Sequence, residues 1–170
     1  MRRLAVCTGL ALAAPAGVAA QAAALIGVQA GVVTEALTIV RTGALEFGPV
    51  LPGIATTVNP RTAANAGAFE LRGMQRADFT ATFTLPAALT VGTFSMPIAF
   101  GPQSGCQDKD ARGSCRYFDP RAPFTGQIAN RPAPRNSFFF WLGGTVTPAA
   151  NQQPGLYRGT ITLQVAYTGA

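Results

Sequence analysis

The segment Pro154-Gly155-Leu156-Tyr157-Arg158-Gly159-Thr160-Ile161-Thr162-Leu163-Gln164-Val165-Ala166-Tyr167 constrains the fold more than any other stretch of the chain. Tyr157, Ile161, Leu163, Val165 and Tyr167 share one parity, and Arg158, Thr160, Thr162 and Gln164 share the other. Side chains alternate across a strand, so the pattern predicts a half-buried β-strand introduced by a Pro-Gly turn. Chain ends are usually loose. A closing strand with one apolar face must therefore find a neighbour, and the identity of that neighbour bears on function.

The rest of the chain reads the same way. Phe79, Ala81 and Phe83 alternate with Thr80, Thr82 and Thr84, which is a second one-sided strand. Further strands are predicted over 37–41, 45–48, 55–59, 68–72, 93–100 and 136–147. No long window keeps a helical period, and 19 glycines and 13 prolines punctuate the sequence too often for helices. Short strands separated by turn signals predict an all-β chain folded as two packed antiparallel sheets.

The first residues read as a targeting signal. Arg2 and Arg3 form a charged start, Leu4 to Val18 an apolar core, and Ala20-Gln21-Ala22 a small-x-small cleavage site, with cleavage after Ala20 as an alternative. The apolar run is too short to cross a bilayer. The expected domain organisation is a signal peptide over 1–22, an N-terminal extension over 23–34 and a β-sandwich over 35–170. The mature protein is expected in the periplasm, on the outer surface or outside the cell. Without Arg2 and Arg3, eleven basic residues face seven acidic ones, a net charge of +4. That permits contact with anionic surface polymers and makes no case for nucleic acid.

Cys106 and Cys115 are the cysteines outside the signal. In an exported chain they are expected to form a disulfide, with a loop-closure contribution of roughly 2.7 kcal/mol. They lie in a long segment, 101–135, that also holds five prolines and six basic residues. Such a segment is either a stapled surface excursion or a loop that contacts a partner. Within Phe138-Phe139-Phe140-Trp141, the residues Phe138, Phe140, Leu142 and Val146 would face the core. Phe139 and Trp141 would face the other side, either open as an interaction patch or covered by the long segment. Phe139, Trp141, Arg112 and Arg116 are thus the candidate surface contacts.

Catalytic chemistry is thinly represented. The chain has no histidine, which removes imidazole catalysis and imidazole metal ligands. Glu35, Glu46, Glu70 and Asp78 are scattered. Asp108-x-Asp110-x-x-Gly113-Ser114 is faintly like a calcium loop but lacks the third acid and the distal glutamate. The expectation is a protein that is not an enzyme and takes no cofactor or metal.

From Leu45 onward the chain resembles the DUF4402 family of secreted bacterial proteins. The likeness rests on Leu45-Glu46-Phe47-Gly48, on Leu142-Gly143-Gly144-Thr145-Val146, and on the closing Pro154-Gly155-x-Tyr157-x-Gly159-Thr160-x-Thr162-x-x-Val165-x-Tyr167. The closing strand is also similar to that of chaperone–usher and spore-coat-U-like pilins, where a glycine lies twelve residues before an aromatic near the chain end. Gly155 and Tyr167 have that separation, although Thr168, Gly169 and Ala170 follow the tyrosine.

The resemblance implies an immunoglobulin-like, pilin-like β-sandwich with one long disulfide-stapled loop. In such subunits the last strand is missing and a neighbour's N-terminal extension replaces it. Ile26, Val28, Ala30 and Val32 alternate with small or polar residues and form the candidate donor strand. Tyr157, Ile161, Leu163, Val165 and Tyr167 would line the accepting groove. The same segment could instead pair within its own domain. The expected function is a non-enzymatic structural subunit of a pilus-like or surface fibre. Its partners would be related subunits in a homo- or hetero-polymer, with a periplasmic chaperone and an outer-membrane usher. The alternative is a self-contained binding module that contacts a glycan or protein through 101–135.

Overall fold

The structure, a computed structural model, describes residues 35–110, 112–131 and 136–168. The signal segment and the donor residues Ile26, Val28, Ala30 and Val32 lie outside the described residues. Twelve strands follow in order: β1 (Thr38–Gly43), β2 (Thr56–Val58), β3 (Gly67–Arg72), β4 (Asp78–Thr84), β5 (Ala88–Val91), β6 (Phe94–Ala99), β7 (Gly105–Asp108), β8 (Arg116–Phe118), β9 (Phe124–Gln127), β10 (Ser137–Leu142), β11 (Gly144–Val146) and β12 (Thr162–Tyr167). A single 3₁₀ turn, Arg112–Ser114, separates β7 from β8. Every strand pairing among these is antiparallel.

The strands form a five-stranded sheet in the order β1-β3-β10-β7-β8, a three-stranded sheet β12-β4-β9, and a four-stranded sheet β2-β11-β6-β5. The first two pack face to face through phenylalanines. Phe79 and Phe83 on β4 meet Phe138 and Phe140 on β10 edge-on, at centroid separations of 5.1 Å (Phe79–Phe138) and 5.4 Å (Phe83–Phe140). Phe118 and Phe124 join the same cluster, and Phe79, Phe140, Leu71 and Leu142 are wholly buried. The alternation of Phe79, Ala81 and Phe83 with threonines has thus placed every large side chain of β4 on one face. Each buried phenylalanine contributes about 1.5–3 kcal/mol by leaving water, and the edge-to-face geometry adds about 0.5–1.5 kcal/mol for a pair.

Several elements differ from the sequence reading, each for a local reason. The predicted strand over 136–147 is two strands, because the chain passes at Gly143 from the five-stranded sheet to the four-stranded one. A Cβ there would collide with the Val58 carbonyl and the Pro60 ring, so only glycine permits this approach. Residues 45–48 are irregular, with Glu46 N–H donating to the Asn65 carbonyl instead of to a ladder. The segment 101–135 is more ordered than its prolines suggest: β7 pairs with β10, β8 with β7, and β9 with β4. The strand predicted to close the chain starts only at Thr162, and β5, absent from the sequence reading, forms a hairpin with β6.

Candidate functional site

The two outer strands β1 and β12 define an unfinished edge. β1 pairs with β3 alone, and β12 pairs with β4 alone. Among the described residues no strand joins them. On β1, Ile39 lies opposite Leu71 and Arg41 opposite Phe69, so Ile39 shares the core-facing side of the sheet with fully buried Leu71. Ile39 is nevertheless 38% exposed. Leu37, Phe69, Leu85, Ile161 and Val165 pack against the core yet remain only half-buried. Leu163, opposite Phe83, is buried. These side chains form an apolar groove whose rims are β1 and β12.

The rims run in opposite directions. The Tyr167 hydroxyl donates to the Glu35 carbonyl at 2.9 Å and accepts from Met74 N–H at 2.7 Å, which fixes the end of β12 beside the start of β1. At the other end, Leu163 sits across from Phe83, which packs on Phe69 opposite Arg41. Gly73 makes the tyrosine's position accessible, since a Cβ there would meet both the phenol oxygen and Leu37. The aromatic near the chain end is therefore a tie between the two rims.

Ile161, Leu163 and Val165 pack against the phenylalanine core, and Tyr167 lies at the end of the same strand. Tyr157 does not belong with them. Residues before Ile161 leave the strand path where Arg158 bridges Thr90, and Tyr157 packs with Met96, Ile98 and Val146 in a separate cluster. Its hydroxyl accepts from the Gln152 amide and donates to the Gln153 carbonyl. The lining residues contributed by β1 and β3 were missed by sequence reasoning. Leu37, Ile39 and Arg41 do show the period of two that would have named them.

The outer face of the five-stranded sheet carries the second set of candidate residues. Cys106 and Cys115 form a disulfide and are both fully buried. They cover Trp141 together with Ala68, and Phe139 stacks beside the indole at 5.8 Å between ring centroids. The Arg112 guanidinium lies 5.6 Å from the centre of the Trp141 ring and donates to the Ala63 carbonyl. Trp141, 8% exposed, is thus a covered residue and not a surface contact: the stapled segment folds over it. Phe139 is half-buried, and Arg116 is exposed on the outer strand β8.

The acidic residues of this region serve local turns. Asp108 accepts from the Asp110 N–H and from the Ser114 hydroxyl, while Asp110 pairs with Arg131. Among the described residues no three acidic or cysteine side chains gather as a metal site would require. On β3, Glu70 is buried and receives two hydrogen bonds from Arg72 and one from Ser137. The Arg72 guanidinium in particular holds its carboxyl below the usual range, against the opposing effect of burial.

No curated protein and no solved structure matches the chain. The family model described as a domain of unknown function, DUF4402, matches residues 28–167. That span takes in β1, β12 and the groove between them, together with the closing strand whose pattern the sequence displays. The chain belongs to the DUF4402 family.

Proposed function

We propose that the protein is an exported, non-enzymatic structural subunit of a pilus-like or surface fibre, assembled by β-strand addition. The observation that carries the reading is Ile39, a core-facing side chain of β1 left 38% exposed, with no outer partner for β1 or β12 among the described residues. Strand order supports it. Among the described residues the order β1-β3-β10-β7-β8 in one sheet and β12-β4-β9 in the other leaves β1 and β12 as outer strands. An incoming strand would find backbone donors and acceptors on both rims and an apolar floor between them.

The segment with Ile26, Val28, Ala30 and Val32 suits that floor, since one face is apolar and the other small or polar. Burying three of its larger side chains would contribute about 5–9 kcal/mol. A whole domain is stable by only about 5–15 kcal/mol. A subunit with an empty groove would therefore be marginal, and capture of the strand would supply much of its stability. On this reading a periplasmic chaperone would hold the groove before assembly, and an outer-membrane usher would exchange it for the next subunit.

The test is a chain that begins at Thr34. Its thermal midpoint should be low and it should aggregate, and a peptide of residues 23–33 should raise the midpoint by ten degrees or more, on the order of the burial above. A stable monomer indifferent to the peptide would refute assembly by strand addition.

A further inference from the structure

We propose that the cleft between the end of β2, the β6–β7 turn and β8 is a binding site for a neutral saccharide, a function separate from strand addition and independent of it. The cleft has a volume of about 570 Å³, within the range of small-molecule sites, and it opens to solvent. Tyr117 and Phe100 supply aromatic surface, and Asn59, Gln103, Thr57 and Thr145 supply polar atoms.

A pyranose ring has an apolar C–H face and a rim of hydroxyls that both donate and accept. An aromatic surface flanked by amides and hydroxyls, which both donate and accept, complements it without any charge. No carboxylate, lysine or arginine lines the cleft, so the chemistry selects an uncharged sugar.

The recognition groups are held in place before any ligand arrives. Arg61 donates to the Cys115 carbonyl at 2.7 Å, and its guanidinium lies 5.2 Å from the centre of the Tyr117 ring, backing the aromatic against the disulfide-stapled segment. Tyr117 remains 36% exposed. Asn59 uses its carbonyl oxygen to accept from the Arg61 N–H, which leaves its amide N–H groups for a ligand. The Thr57 and Thr145 hydroxyls bond each other at 2.8 Å, so one of the pair keeps a donor free. The Gly101 N–H donates to the Ser104 hydroxyl, which closes the β6–β7 turn and fixes where exposed Gln103 is displayed. A preorganised site of this kind loses little entropy on binding.

The mature protein should be titrated with maltotetraose, cellotetraose and chitotetraose, with tri-galacturonic acid as the charged comparison, by saturation-transfer NMR. At least one neutral oligosaccharide is expected to bind with a Kd below about 1 mM. Tyr117→Ala should weaken it on the order of tenfold, and Gln103→Ala, an exposed position, should weaken it severalfold with an unchanged thermal midpoint. Arg116→Ala, also on β8, should leave binding as it was. Absence of transfer from all three neutral sugars, preference for the acidic one, or affinity that survives both Tyr117→Ala and Gln103→Ala would overturn the proposal. None of these readouts depends on whether the groove accepts a strand.

Discussion

Trp141 is the only tryptophan of the chain, and it is sealed by Cys106, Cys115 and Arg112. Reducing the disulfide, or replacing both cysteines by serine, should remove about 2–4 kcal/mol of stability and uncover the indole. A red shift of tryptophan emission that precedes global unfolding is the expected signature. Glu70 makes a different test. Its folded-state carboxyl is held below the ordinary 4.5, so its contribution is complete above that pH and is lost as pH falls through the lowered value. Glu70→Gln should cost about 1 kcal/mol at neutral pH, a figure kept small because Arg72 is half exposed and screened. The variant's denaturation midpoint should also fall less steeply below pH 4.5 than that of the parent. Asp119, held down to about 2 chiefly by hydrogen bonds from Arg121, should stay charged through most of the same range. At this scale the sequence is readable for parity and poor for partners. It says which way Phe139 and Trp141 point and leaves open whether the stapled segment covers them.

The strands show what local pattern can and cannot specify. β4 is legible because threonines alternate with Phe79, Ala81 and Phe83, and the end of β12 is legible because polar and apolar residues alternate there too. The stretch before Ile161 carries the same parity and still leaves the sheet, since the Arg158 bridge to Thr90 is a tertiary contact with no local signature. Likewise β7, β8 and β9 are short strands among prolines and charges, and only their pairing with β10, β7 and β4 respectively makes them strands. Leu163→Ala should destabilise by about 2–4 kcal/mol, because it deletes a buried side chain against Phe83. Val165→Ala, at the half-buried groove side, should cost less, about 1 kcal/mol. Chemical denaturation of the two variants would check the order. If an added 23–33 peptide fills the groove, the Val165→Ala penalty should grow in its presence, because the side chain then becomes buried.

At the scale of the molecule, the two sheets that enclose the phenylalanine core are unequal: five strands face three, with β12 at one end of the smaller sheet. Composition and turn spacing were enough to read the all-β class. That β1 and β12 have no outer neighbour among the described residues was suggested only by analogy, because pairing partners leave no local pattern to read. A cysteine pair placed at Val28 and Val165 separates the two ways of filling the groove. Under oxidising conditions a ladder of covalent multimers on a denaturing gel is expected if strands are exchanged between copies. A fast-migrating crosslinked monomer would show each chain completing itself. The Tyr167 bond to Glu35 matters to this choice. On the proposed reading, a hydroxyl that fastens the rims at one end makes the two ends of the groove unequal, tied at Glu35 and without that tie at the Leu163–Arg41 end. A strand entering such a groove would be expected to do so from the untied end, and a chain of such units would then have a head and a tail.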